Sequence, residues 1–346
     1  MRCLPGTRSL TYSGRIGDTV PATDFPRENV IDTGHTRSEG YWAFCRFDHE
    51  EVYAARMGFQ RGGIDITDGN QAMDPQALQL HLELMTGDGA LIWLGTGKYR
   101  AEQLNNDPTD VDVQLRVGSR EIFRIQGWPQ MNWHFESDDG LIEATLAFEA
   151  HHVTLLPDAI LPRVVFSMWE TSGPVVGTLR HADRQYQLAG TVFYDHPRVR
   201  IMDHPNSSRQ WYLYTPVALK NGSTIISYYA EDRRGAPLDY YCFAVHTDPN
   251  GKTEWFGDLQ LTDCVFDADA LPCRWTLRGR NAETALCLSI DVRPTSILKM
   301  WGTPQVPTSR KEFVFIPLVL DGNATFESGS ARYNLTASGL AEYWRA

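Results

Sequence analysis

The chain has 346 residues, 42% of them hydrophobic and 22% charged, and a formal net charge of −11. That length exceeds what one hydrophobic core fills, since cores stop growing near ~250–300 residues, so two domains are expected. With no Lys/Arg run longer than a pair, such as Arg233-Arg234, the acidic chain lacks the basic patches that hold nucleic acid or an anionic membrane surface, and no segment approaches the ~20 apolar residues of a membrane span.

In chain order, the first residues, Met1-Arg2-Cys3-Leu4-Pro5-Gly6, show no apolar run of a secretory leader, which makes a cytoplasmic location the expectation. The cysteines are scattered without a Cys-x-x-Cys spacing and read as reduced thiols. Pro75-Gln76-Ala77-Leu78 could open a helix, but Leu78, Leu80, Leu82 and Leu84 alternate with polar Gln79, His81 and Glu83. That period of two predicts a strand, and Gly87-Asp88-Gly89 turns it back into Ala90, Ile92 and Leu94. Val111, Val113, Leu115 and Val117 alternate next. Asp139-Gly140 opens a strand with Ile142, Ala144, Leu146 and Phe148 on one face and Glu143, Thr145 and Glu149 on the other.

The second half continues the pattern. Strands are predicted over Thr224–Tyr229 and Tyr240–Val245 and at Leu286, Leu288 and Ile290, with turns at Asp232-Arg233-Arg234-Gly235 and Asp248-Pro249-Asn250-Gly251. Short strands with frequent turns predict an all-β fold of barrels or sandwiches. The breaker-rich Thr171-Ser172-Gly173-Pro174, or a point near Gly190, marks the domain boundary, and the expected division is 1–185 and 186–346.

The chemistry concentrates in Gly190-Thr191-Val192-Phe193-Tyr194-Asp195-His196, followed by Trp211-Tyr212-Leu213-Tyr214. Asp195 and His196 sit on an aromatic, β-prone segment, where burial shifts titratable groups toward their neutral forms. Asp203-His204-Pro205 repeats Asp195-His196-Pro197, and a surface turn is its expected home.

The Gly190–His196 run, the later Trp211 and the Asn221-Gly222 turn resemble the hydroxyneurosporene synthase (carotenoid 1,2-hydratase) superfamily, with its Gly-x-x-Tyr-x-Asp-His-like motif and Trp-rich strand. Glu39-Gly40-Tyr41-Trp42-Ala43-Phe44 is similar to the family's Glu-x-x-Trp motif. Pro197-Arg198-Val199 follows His196 where the family continues with Asn/Gln-Trp-Gly. Fungal decalin-forming Diels–Alderases and epoxide-opening cyclases resemble the same fold. The resemblance implies two tandem lipocalin-like antiparallel β-barrel domains, a pocket at or near their interface, and no metal or organic cofactor.

A cyclase acting on a hydrophobic polyene, prenyl group or epoxide needs an acid, aromatic faces that stabilise positive charge by up to ~2 kcal/mol, and a dry cavity whose pre-organisation supplies ~7–11 kcal/mol. Asp195 or Glu39 is the candidate acid, with His196 to orient it or take the proton back. Tyr41, Trp42, Tyr194, Trp211 and Tyr214 are the candidate wall. The competing readings are a structural Asp195–His196 pair, a solvated Glu39 and core tryptophans. A pericyclic ring closure, a hydratase and a non-catalytic carrier of a lipid or terpenoid use the same kind of chamber. Adjacent His151 and His152 point to opposite faces of a strand and cannot chelate one ion, and no His-Glu-x-x-His occurs, so no metal site is expected.

Overall fold

The structure, a computed structural model, describes residues 12–15, 36–61, 77–100, 112–150, 152–161, 164–201, 209–232, 234–238, 242–268, 271–293 and 314–345, and among these there is no helix. Two compact units divide the chain: Met1–Asp65, Asn70–Leu84 and Trp93–His204 form one, and Ile66–Gly69, Met85–Ile92 and Pro205–Ala346 the other.

The first sheet is built from β1 (Tyr12–Arg15), β2 (Thr36–Phe47), β3 (Ala54–Arg61), β4 (Ala77–Met85), β5 (Leu91–Arg100), β6 (Asp112–Val117), β7 (Arg120–Gln126), β8 (Gln130–Glu136), β9 (Ile142–Glu149), β10 (His152–Leu161), β11 (Val164–His181) and β12 (Arg184–Ile201). Its ladder runs β5-β4-β3-β2-β12-β11-β9-β8-β7-β6, with β10 pairing β11 and β1 pairing β10. The ladder curls: Phe59 on β3 stacks on Phe123 of β7 at 5.5 Å, although these strands are far apart in the strand order.

The second sheet is a closed barrel of β13 (Arg209–Leu219), β14 (Thr224–Asp232), β15 (Phe243–Thr247), β16 (Thr253–Phe266), β17 (Pro272–Arg280), β18 (Ala285–Val292), β19 (Val314–Ser328) and β20 (Ala331–Arg345). Inward-facing positions fill it with a continuous apolar core that includes Leu213, Tyr229, Phe256, Trp275, Leu288, Phe326 and Tyr343. Predicted hairpins appear where expected. The turn after β15 ends on Gly251 at φ 80°, a left-handed conformation that glycine adopts without a Cβ penalty.

Two expectations need correction. Thr171-Ser172-Gly173-Pro174 is no linker, because it lies in the middle of β11. There, β11 passes from β10, its partner up to Glu170, to β9, its partner from Val175 onward. Gly173 and Pro174 occupy the gap between those partners, and Pro174 is tolerated where one neighbour is missing. Nor do the units change over between 185 and 186. β12 pairs along its length with β11 and then β2, so the first unit runs to His204. The alternation in β4 is present, yet its polar positions are not solvated, since His81 and Glu83 are as buried as the leucines.

Candidate active site

Directly opposed residues of an antiparallel ladder share a face of the sheet. Register therefore fixes two rows on one face of the first unit. Glu170 on β11, Asp195 on β12, Trp42 on β2 and Gly58 on β3 form one row. Ser172, Phe193, Phe44 and Arg56 form the next. Glu170 is 0% and Asp195 7% exposed, and opposed positions bring Cβ atoms to about 4.5–5.5 Å. Two acidic side chains are thus neighbours on one face of the sheet, both buried.

Trp42, half-buried, leans away from them over β3. A Cβ on Gly58 would fall 2.0 Å from the indole Cε3, so the ring lies flat where only glycine leaves room. The Arg56 guanidinium sits 4.6 Å from the indole centroid, and the His81 ring follows at 5.4 Å. Arg56 and Glu83 form an ion pair, Nε to Oε2 3.8 Å, with both side chains buried. Burial, and then the charge of Arg56, push His81 down to about 3, so its imidazole is neutral. One face thus presents two carboxyls, an aromatic surface and a buried cation.

Tyr41, Tyr194 and His196 occupy the opposite, inner face. Tyr41 stacks on His196 at 4.1 Å and meets Phe59 at 5.7 Å. Phe59 leads to Phe123, Phe123 to Trp133 at 5.8 Å, Trp133 to Tyr194 at 5.3 Å, and Tyr194 returns to His196 at 6.4 Å. The rings close a circuit that packs the inside of the sheet. Neighbouring residues of a strand point to opposite faces, so Asp195 and His196 are not side by side, and the expected partnership of acid and imidazole is not formed. Tyr194 likewise does not share a wall with Trp42.

The backbone of Glu39 pairs with Arg198 and Arg61, while its side chain, like all of Asp203-His204, lies outside the described residues. Trp211 and Tyr214 belong to the second unit. Trp211 points into the barrel, where it packs on the core, and Tyr214 points outward and meets Tyr228 at 4.5 Å with the rings tilted by 31°. Glu170, Arg56 and Glu83 were not among the residues expected at the site. The only sequence signal was a polar residue inside an apolar, alternating run, and a pairing register was needed to bring them together. Among the described residues no group of three or more His, Cys, Asp or Glu is placed to hold a metal, and the five described cysteines are free thiols.

No family model matches the chain, and no curated protein matches it. Solved structures do. A Nitrosomonas europaea protein with the provisional name AttH superposes with a TM-score of 0.57 over 89% of this chain and 92% of its own, at 11% identity. Kievitone hydratase from Nectria haematococca gives 0.53 over 89% of each chain, also at 11% identity. CghA, in a structure with Sch210972, gives 0.50 over 90% of this chain and 88% of its own, at 9% identity.

The chain shares their fold. This is the two-domain lipocalin-like architecture that the motif resemblance implied, and the likeness spans both units. No helix among the described residues is long and apolar enough to cross a membrane.

Proposed function

We propose that this protein is a cofactor-independent cyclase or isomerase of a hydrophobic natural-product intermediate bearing a polyene, prenyl group or epoxide. The observation that carries the reading is the buried Glu170–Asp195 carboxyl pair beside the half-buried indole of Trp42. Two carboxylates this close repel, and the reading is that the pair answers that repulsion by sharing a proton. That proton is the Brønsted acid.

The carboxyl transfers its proton to an alkene carbon, epoxide oxygen or carbonyl oxygen of the substrate. The electron pair of a second alkene closes the ring onto the cationic carbon. Loss of a proton from the adjacent carbon to the resulting carboxylate regenerates the pair, and the product has the mass of the substrate. No electron leaves the system, so the step calls for no redox cofactor. A pericyclic closure uses the same carboxyl as a hydrogen-bond donor that polarises a carbonyl. Capture of the cation by water gives a hydratase instead, a variant favoured by the fold shared with kievitone hydratase.

Trp42 supplies the apolar surface for the substrate. Its cation-stabilising capacity is already engaged on one side by Arg56. Tyr41, Tyr194 and His196 act from the core behind the sheet rather than at the reacting atoms.

The test is turnover of a panel of terpenoid epoxides and acyclic polyenones, followed by chromatography and mass spectrometry. An isomer or a hydrate is the expected product, and Asp195→Asn and Glu170→Gln each slow it by about 10²–10⁴. Substrate that is bound and returned unchanged identifies a carrier. Turnover undiminished in both variants removes the acid from the reaction.

A further inference from the structure

The second unit carries a polar corner beside the apolar core of its barrel. Trp211 on β13 and Glu231 on β14 are directly paired, and the indole Nε1–H donates to Glu231 Oε2 at 3.0 Å. The Tyr229 hydroxyl donates to Oε1 at 2.9 Å. These two bonds aim the carboxylate without exhausting it, since its two oxygens have about four acceptor positions. Among the described residues no Lys or Arg forms an ion pair with Glu231. Its charge is felt locally: the Cys264 thiol is pushed up to about 11, by burial first and by Glu231 second.

Aromatic faces surround this carboxylate. Phe266 stands at 87° to Trp211 with centroids 6.2 Å apart, so the two rings form a right-angled corner, and Tyr229 and Tyr343 close the inner side at 5.7 and 6.2 Å from the indole. Phe266 is 43% exposed and the neighbouring Val265 46%, so the corner opens to solvent. An oriented, unneutralised carboxylate flanked by ring faces is the arrangement that recognises alkylammonium groups, through cation–π attraction joined to direct charge pairing. The net charge of −11 adds a long-range field of the same sense.

We propose that the Trp211–Tyr229–Glu231 corner of the C-terminal barrel is a binding site for an organic cation, a quaternary ammonium or protonated amine headgroup whose alkyl groups rest on Trp211 and Phe266. The site shares no residue with the Glu170–Asp195 pair, so either assignment stands or falls alone.

The experiment is calorimetric titration of the full chain at low salt with choline and with its uncharged tert-butyl analogue. Choline is expected to bind and the neutral analogue to bind at least about tenfold more weakly, equivalent to 1.4 kcal/mol. Glu231→Gln, which preserves the shape of the side chain, weakens choline by a similar factor. Phe266→Ala, at an exposed position that does not support the core, weakens it severalfold. Asp195→Asn leaves it unchanged. No choline binding at millimolar concentration, equal affinity for the neutral analogue, or unaltered affinity in Glu231→Gln would each overturn the assignment.

Discussion

Glu170 and Asp195 face each other across the β11–β12 ladder, both buried, one row from the buried Arg56. Like charges directly opposed in a sheet are destabilising. An arrangement kept against that cost has a use, and holding a proton is the use proposed. Its stability consequence runs opposite to its catalytic one. Glu170→Gln removes the repulsion while keeping the shape, so the melting temperature at neutral pH should be equal to or above that of the parent even as turnover falls. A marked drop in melting temperature would mean that both carboxyls serve structure.

Gly58 is the floor beneath Trp42. A methyl group there would overlap the indole, with the six-membered-ring atoms Cδ2 and Cζ3 both at 2.6 Å. Gly58→Ala should destabilise the first unit by about 1–3 kcal/mol, the usual range for overpacking, and change the near-ultraviolet circular dichroism. Trp42→Leu in the same chain should recover most of that loss, because the overlap disappears with the ring. Additive effects in this double-mutant cycle would show that the indole does not rest on Gly58.

Ion pairs in this protein should differ sharply in worth. Glu83→Gln removes the negative charge paired with the buried Arg56 guanidinium and is expected to lower unfolding free energy by about 3–5 kcal/mol. Arg274 and Asp291, bonded at 2.6 Å but 63% and 60% exposed, should lose no more than about 1 kcal/mol when Asp291 becomes Ala. Urea denaturation of the two variants measures the contrast, and equal losses would contradict it.

The fold was readable in the sequence because its strands obey a period of two and its turns carry Gly, Asn, Asp and Pro. The alternating leucines of β4 and the Ile142–Phe148 face appear as written. The boundary was misread because Gly173-Pro174 is a local breaker, whereas its position is decided by which strand lies alongside β11, a long-range fact. The site was half legible. Asp195 and Trp42 were identified and do lie opposite each other. Sequence adjacency suggested Asp195 with His196, yet adjacency on a strand separates side chains to two faces, and the true neighbour of Asp195 lies 25 residues away at Glu170. The Gly58 contact and the Arg56–Glu83 pair likewise depend on strand registers that no local pattern encodes.

His246 gives the second unit a pH dependence. The imidazole is 8% exposed, lies 4.6 Å from the Phe326 ring, and has no hydrogen-bond partner on either nitrogen among the described residues. Burial lowers it from 6.5 to about 4. Between those values the unfolded chain binds the extra proton and the folded chain does not, so stability falls as pH drops from about 6.5 toward 4 and then levels off. The loss amounts to about 3 kcal/mol at most. His246→Phe should abolish this slope in thermal melts followed over pH 4–7, and an unchanged slope would assign it to other groups.

The proton proposed between Asp195 and Glu170 is open to direct observation. Infrared difference spectroscopy at pH 7 between the parent and the Asp195→Asn, Glu170→Gln double variant should show a protonated-carboxyl C=O band present only in the parent. Identical spectra in that region, with both side chains ionised in the parent, would contradict the account.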